Sequence, residues 1–269
     1  MLTTTSRNAA FFPAARVTSD AIDLEQFLTG SGPEAAAVLA DLDGCLISGS
    51  TVLPGAAELV RRTGERLWIV SNNSSDTART LSERLSQMGL PVPAERIFLA
   101  GEQAVRELAA AMPGAQVALF AAPPLQELAV NLGLQVCRGG RAAKTALLAR
   151  DPGFTMTDLT RLMWLAYQGV PLRLTNPDPF HPAADGAPVP ETGALFAAVA
   201  AGVPGLSASS GGKPSPEMIH AVLQQVAVAP QDAVFIGDTD ATDGEAARAA
   251  GVPFVLLRKP SMPRTGDEQ

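Results

Sequence analysis

Short apolar runs that stop abruptly at polar clusters recur along the chain. Each run reads as a buried parallel strand, and the stretch that follows reads as a loop and a helix. Ala35 to Ala40 ends in Asp41 and Asp43, Leu67 to Val70 in Ser71-Asn72-Asn73, and Ala233 to Ile236 in Gly237-Asp238. The spacing of Ala78, Leu81, Leu85 and Met88 predicts a helix capped by Ser74 or Ser75 and stopped at Gly89. Pro54-Gly55 opens a short helix through Leu59 and Val60, Ser215-Pro216 opens one through Met218, Ile219, Val222 and Leu223, and a helix over 243–250 closes at Gly251. Phe254 to Leu257 is a last strand.

Between about residues 98 and 205 the punctuation changes. Pro and Gly become frequent, yet strands still alternate with helices. Gln116 to Ala121, Thr145 to Leu148 and Leu172 to Leu174 read as strands, and Thr157 to Tyr167 reads as a helix. Pro177 to Pro190 reads as a proline-rich loop, and Trp68 and Trp164 read as core. The division expected is an N-terminal arm over 1–34, a core domain from 35–97 and 206–269, and an inserted α/β cap over 98–205.

In an open parallel sheet, ligands bind beyond the carboxyl ends of the strands. Three strands end here in polar clusters, and one site explains all three if those strands are neighbours. Two carboxylates at i and i+2 after a strand can divide roles around one ligand, with Gly44 freeing the turn. Asp238 from another strand would complete an oxygen-rich shell suited to Mg²⁺. Lys213, in Gly211-Gly212-Lys213-Pro214, can relieve the repulsion between a carboxylate nucleophile and a phosphate. Ser71 and the backbone after it can donate to phosphate oxygens. Asp43 would protonate a leaving alkoxide and then deprotonate the attacking water.

Composition narrows the partners. Of 269 residues, 46% are hydrophobic, which is enough for a sizeable core. The formal net charge is −7, and no run of Lys or Arg offsets it, so neither nucleic acid nor an anionic membrane is an expected partner. Two isolated cysteines and two isolated histidines form no zinc pattern and no disulfide framework, and a reducing compartment is the default. The arm carries Arg7 and Arg16 and no acid before Asp20. A transit peptide is the weaker reading of it; the plainer one is a cytoplasmic protein with a frayed or capping arm. Cys45 lies beside the proposed site, but no Arg follows it in a phosphate-cradling loop, so it reads as a small apolar filler.

These motifs, in this order, resemble the haloacid dehalogenase superfamily of hydrolases: Asp41-Leu42-Asp43-Gly44, Ser71-Asn72, Lys213-Pro214, and Gly237-Asp238 with Thr242-Asp243. The narrower resemblance is to the branch of NagD-like, p-nitrophenylphosphatase and pyridoxal phosphate phosphatases (subclass IIA, with a C2-type cap). It rests on Ser71-Asn72-Asn73-Ser74-Ser75, Thr175-Asn176-Pro177-Asp178, Thr192-Gly193 and Gly212-Lys213-Pro214-Ser215-Pro216. The resemblance implies a Rossmann-like, three-layer α/β core with a parallel sheet and an inserted smaller α/β cap. It also implies a Mg²⁺-dependent phosphatase acting on a small phosphate monoester of sugar phosphate, nucleotide or pyridoxal phosphate type.

By the same resemblance Asp41 is the nucleophile and Asp43 the acid–base. Mg²⁺ would be held by Asp41, the Asp43 carbonyl and Asp238. Asp243 supports Lys213 or metal-bound water, and homo-oligomers form through the cap. Gly44, Ser71, Asn72, Asn73 and Lys213 are the expected phosphate contacts. His181, in Pro179-Phe180-His181-Pro182, is the cap's candidate substrate contact, against the plainer reading of a structural loop histidine. Ala241 stands where many relatives carry an acid, which leaves Asp240 without an assigned part in the metal shell. The alternatives are a phosphotransferase or mutase on the same core, and a non-catalytic binding module. The latter predicts a missing catalytic residue, and none is missing.

Overall fold

The structure is a computed structural model and describes residues 21–139, 142–182 and 187–258. In its first stretch, α1 (Leu24–Thr29) precedes β1 (Ala37–Ala40), the hairpin strands β2 (Ile47–Ser48) and β3 (Thr51–Val52), and α2 (Ala56–Thr63). Then come β4 (Leu67–Ser71), α3 (Ala78–Gln87), β5 (Ile97–Leu99) and α4 (Ala100–Ala111). The middle runs β6 (Gln116–Phe120), α5 (Pro123–Asn131), β7 (Gln135–Cys137), β8 (Thr145–Leu148), α6 (Met156–Tyr167) and β9 (Leu172–Leu174). It continues with β10 (Phe180–Pro182), β11 (Pro188–Pro190), α7 (Thr192–Gly202) and β12 (Ala208–Ser210). The last stretch holds α8 (Glu217–Val226), β13 (Ala233–Gly237), α9 (Glu245–Ala249) and β14 (Phe254–Leu256).

Two parallel five-stranded sheets result, in the orders β14-β13-β1-β4-β5 and β12-β9-β8-β6-β7. Alternate residues of a strand face opposite layers, and the first sheet uses both. Val38, Ala40, Ile69 and Ile236 pack towards α1, α2 and α3, while Leu39, Trp68, Val70 and Phe235 pack towards α8 and α9. The second sheet is covered by α6 and α7 on one face and by α4 and α5 on the other. The chain is thus a three-layer α/β core with a second α/β unit inserted in it. Among the described residues, no helix is long and apolar enough to cross a membrane.

The condition set by the sequence is met: β1 pairs in parallel with both β13 and β4. Ala40 lies opposite Ile236 on one side and Ile69 on the other. The polar residues that follow these three strands therefore emerge at one edge.

Several expectations change. Trp68 is buried against Phe98, but Trp164 is 54% exposed. On α6, Leu162, Leu165 and Ala166 face the sheet, which turns Trp164 outward, where it stacks on Tyr167. Neither Ser74 nor Ser75 caps α3. Thr77 does so, in a reciprocal pair with Thr80, because Ser74 and Ser75 are engaged with the second unit. The stretch 177–190 contains the antiparallel pair β10–β11. There the proline-containing positions flank the His181–Val189 pair, an alternation that a two-stranded ribbon tolerates. Ser210 pairs with Leu174 in the second sheet, so that sheet extends past residue 205, while β5 stays in the first. Pro216, not Ser215, is the N-cap residue of α8.

The transit-peptide reading rested on residues that lie outside those described, but residues 21–34 have a clear place. Asp23 caps α1, Leu24, Phe27 and Leu28 are buried in the core, and Ile22 bridges to Leu257 at the end of β14. A large buried side chain removed to Ala costs about 3–5 kcal/mol. Phe27→Ala should therefore lower stability in a urea titration by about that much; an unchanged midpoint would show that α1 is not docked in solution.

Candidate active site

At the shared strand edge, the ammonium of Lys213 lies between two carboxylates. Its Nζ donates to Asp41 Oδ1 at 2.7 Å and to Asp243 Oδ1 at 2.6 Å, with the Phe235 ring centroid 5.4 Å away. Lys213 is 2% exposed and Asp243 1%. Burial alone would lower the lysine's pKa, but Asp243 and Asp41 together outweigh it and hold the group charged, well above its ordinary value. Asp243 gets its position from a π-helical turn, Asp240–Gly244, and its Oδ2 accepts from the Thr239 backbone N–H at 3.1 Å.

Asp41, Asp238 and Asp243 each bring a carboxylate oxygen within 4.8 Å of the others. Three carboxylates against one ammonium leave negative charge uncancelled. Burial, and then the surrounding acids Asp243 and Asp238, lift the Asp41 carboxyl well above the usual range, against the pull of Lys213. An all-oxygen acidic set of this kind fits a hard divalent cation such as Mg²⁺. Lys213 and the Thr239 N–H bind the two oxygens of Asp243, so that acid serves the lysine as well as the acidic set. Asp240 stands apart, exposed and paired with Arg248 at 2.8 Å.

Asp43 is exposed at the cleft, yet protein crowds it closely. That desolvation raises its carboxyl above the usual range, opposed by Arg84, then His181, then Lys213. Gly44, with φ +79°, turns the chain between Asp43 and the core, and a Cβ there would collide with the Asp238 carboxylate. Only glycine satisfies both the left-handed backbone and the close approach. Cys45 is buried with its Sγ 3.9 Å from the Ile236 carbonyl. Burial first, and the nearby acids Asp41, Asp243 and Asp238 next, keep its thiol protonated, which agrees with its reading as a filler.

Ser71 is buried at the end of β4, and its Oγ accepts from the Asn73 backbone N–H at 3.1 Å. The side chains of Asn72 and Asn73, two of the expected phosphate-contact residues, are bound to protein groups. Asn72 Oδ1 accepts from the Lys213 N–H at 2.8 Å, and its Nδ2 donates to the Lys213 carbonyl and to Asp178, each at 2.9 Å. Asn73 Oδ1 accepts from the N–H groups of Ser75 and Asp76, and its Nδ2 donates to Asp76. Both side chains thus set the shape of the loop, and the Ser71 side chain and the loop backbone lie beside them.

The sequence reading missed the residues that join the two sheets here. Asn176 donates to the Asn72 carbonyl at 2.9 Å and to Ser74 at 3.3 Å, and Asp178 accepts from Asn72. Gly212 lies so close to Thr175 and Asn72 that a Cβ would fall 2.6 Å and 2.8 Å from their oxygens. Thr175-Asn176-Pro177-Asp178 was visible as a motif, but only its position next to the Ser71 loop reveals its task. Arg84 was missed as well; it binds Asp76 at 2.9 Å and exerts the largest favourable charge effect on Asp43. His181 sits half-buried on β10, its Nδ1 2.7 Å from Glu191. Removing the Asn72 side chain orphans the Lys213 N–H and carbonyl, at about 1–3 kcal/mol for each group left unpaired. Asn72→Ala should therefore lower unfolding stability by about 2–4 kcal/mol in denaturant; a loss below about 0.5 kcal/mol would refute this accounting.

Comparison with known proteins agrees with this geometry. A model of the haloacid dehalogenase-like hydrolases matches residues 38–135, and a second, HAD-hydrolase-like model matches residues 210–264. Chronophin from Rattus norvegicus is 33% identical over 244 residues, covering 83% of this chain and 76% of the relative. Dihydroxyacetone phosphatase from Corynebacterium glutamicum (strain R) is 27% identical over 223 residues, covering 82% and 80%. Among solved structures, a p-nitrophenyl phosphatase from Archaeoglobus fulgidus superposes with a TM-score of 0.73 at 28% identity, covering 82% of this chain and 85% of that one. These matches extend over most of the chain, which belongs to the haloacid dehalogenase-like hydrolases, in their NagD-like branch.

Proposed function

We propose that the protein is a phosphatase that hydrolyses a small, soluble phosphate monoester in two steps through a phosphorylated Asp41. The observation that carries this reading is the buried Lys213 bridging Asp41 and Asp243 beside Asp238. It supplies a carboxylate nucleophile, a fixed positive charge for the phosphoryl oxygens and an acidic set suited to a cation. The relatives that are named phosphatases support the same reading.

Mg²⁺ would be held by Asp41, Asp238 and the Asp43 carbonyl, and when bound it would offset the charge of nucleophile and phosphate. Asp41 attacks the phosphorus while Lys213 balances the charge gathering on the phosphoryl oxygens. The Ser71 hydroxyl and nearby backbone N–H groups orient those oxygens. Asp43 in its protonated form passes its proton to the leaving alkoxide, and the crowding that raises its carboxyl above the usual range works in that direction. Once ionised, it takes a proton from the water that cleaves the aspartyl phosphate. The second unit is tied to the Ser71 loop through Asn176, Asp178 and Arg150, and from there it would shield the bound ester from bulk water and disfavour large substrates.

Asp41→Asn should lower hydrolysis of p-nitrophenyl phosphate in Mg²⁺ by about 10³-fold or more, the scale seen when a covalent nucleophile is lost; equal rates would overturn the mechanism. Asp43→Asn separates the two steps. An aryl leaving group departs without a proton, but the phosphoenzyme then lacks its base. Rapid-quench measurements should show a burst of about one equivalent of nitrophenol followed by slow turnover. A linear time course with no burst would argue that Asp43 has no part in the second step.

A further inference from the structure

The loop that begins at Ser71 carries an acid, Asp76. A phosphate ester bears close to two negative charges near neutral pH, so a carboxylate in the loop meant to receive it works against binding. Helix capping does not explain it, because Thr77 caps α3. Its hydrogen bonds lead elsewhere. Asp76 Oδ2 accepts from Asn73 Nδ2 at 3.0 Å and from Arg84 Nη2 at 2.9 Å. At the other end of the same amide, Asn73 Oδ1 accepts from the N–H groups of Ser75 and Asp76, at 3.0 Å and 2.9 Å.

The oxygen and nitrogen of an amide are nearly alike in size, so hydrogen bonds rather than packing choose its orientation. A carboxylate only accepts and a backbone N–H only donates, so Asp76 holds the Asn73 amide from both ends. The backbone of Asn73 then meets Ser71, whose Oγ accepts from its N–H at 3.1 Å. With that lone pair engaged, the Ser71 hydroxyl keeps its proton for an outside acceptor such as a phosphate oxygen.

Arg84 answers the charge. It stands about two turns along α3 from Asp76, and helical side chains lean towards the N-terminus, which brings its guanidinium back to the loop. The Asp76 side chain is 24% exposed and that of Arg84 42%, and a pair as wet as this adds little to stability. Arg84 Nε is buried without a partner among the described residues. An arginine kept for its hydrogen bonds would not leave a buried donor unused. What its placement serves is the charge.

We propose that Asp76 and Arg84 act as a positioning pair for the Ser71 loop: the carboxylate fixes the Asn73 amide that holds the loop to Ser71, and the guanidinium cancels the negative charge that the carboxylate would otherwise set against a phosphate. This role rests on the phosphatase reading.

Inorganic phosphate, used as an inhibitor of p-nitrophenyl phosphate hydrolysis in Mg²⁺, reads the charge. Arg84→Met should raise its inhibition constant about fivefold at low salt, the size of a partly exposed charge effect, and the gap from wild type should narrow in about 0.5 M salt. Arg84→Lys, which keeps the charge, should stay within about twofold of wild type. Adding Asp76→Asn to Arg84→Met should bring the constant back to within about twofold of wild type, because no unpaired charge is left. A merely structural ion pair, or an effect of Arg84 passed straight to Asp43, would give no such recovery.

Hydrolysis itself reads the orientation. Asp76→Asn keeps an acceptor for Asn73, and Asp76→Ala does not. Asp76→Ala should lower kcat/KM for p-nitrophenyl phosphate about tenfold, and Asp76→Asn about twofold or less. This comparison decides even where Arg84→Met fails to fold. An unchanged phosphate constant in folded Arg84→Met, no recovery in the double variant, or equal rates in Asp76→Ala and Asp76→Asn would each overturn the proposal. If the wild type hydrolyses no ester and does not bind phosphate, the phosphatase reading fails and the role of the pair with it. An active wild type whose variants match it sinks the pair alone.

Discussion

A lysine that is 2% exposed cannot remain charged without partners, and the rest of the site follows from how Lys213 obtains them. Asp41 arrives from the end of β1, and Asp243 from the turn after β13. Those strands are hydrogen-bonded neighbours, so both acids reach one ammonium without distorting the sheet. Removing either acid would leave a buried charge poorly compensated. The same contacts that hold the lysine therefore hold Asp41, the proposed nucleophile, at a fixed distance from it. Pre-organisation of this kind is what lets charge be stabilised in a transition state without reorganisation.

The main chain of Lys213 extends the constraint to the second sheet. Its N–H and carbonyl are both bound by Asn72, whose amide also reaches Asp178. One asparagine side chain thus connects the lysine loop, the end of β4 and the stretch after β9. Asn176 and Arg150 add further ties to the same loop. These contacts are polar and few beside the apolar clusters within each unit. The junction suits a joint that positions groups over the strand edge, while the stability of each unit comes from its own packed layers.

Much of the first unit was legible because a buried parallel strand announces itself as an apolar run, and its polar end marks the ligand edge. Asp41, Asp43, Ser71 and Asp238 could be named on that basis, and Lys213 from its glycine-rich motif before a helix. The helix cap of α3 was misread because serine and threonine cap equally well in isolation. Only the contacts of Ser74 and Ser75 with Asn176 and Arg150 show why Thr77 takes that role. Trp164 was misplaced because large aromatics are usually buried, and the face of α6 that meets the sheet is set by Leu162 and Leu165.

By itself, the sequence determined the alternation of strands and helices, the ends of the three site-bearing strands and the residue types able to do phosphate chemistry. Periodicity and local turn chemistry are short-range properties, and the chain carries them openly. The tertiary structure alone decided that Asn72 and Asn73 shape the loop with their side chains, that Asp240 faces away towards Arg248, and that Glu191 meets His181 and Arg150. Those assignments depend on which groups meet across separations of up to 141 residues, as Asn72 and Lys213 do. No local pattern encodes such a meeting, because it is the packing of the two sheets that brings the partners together.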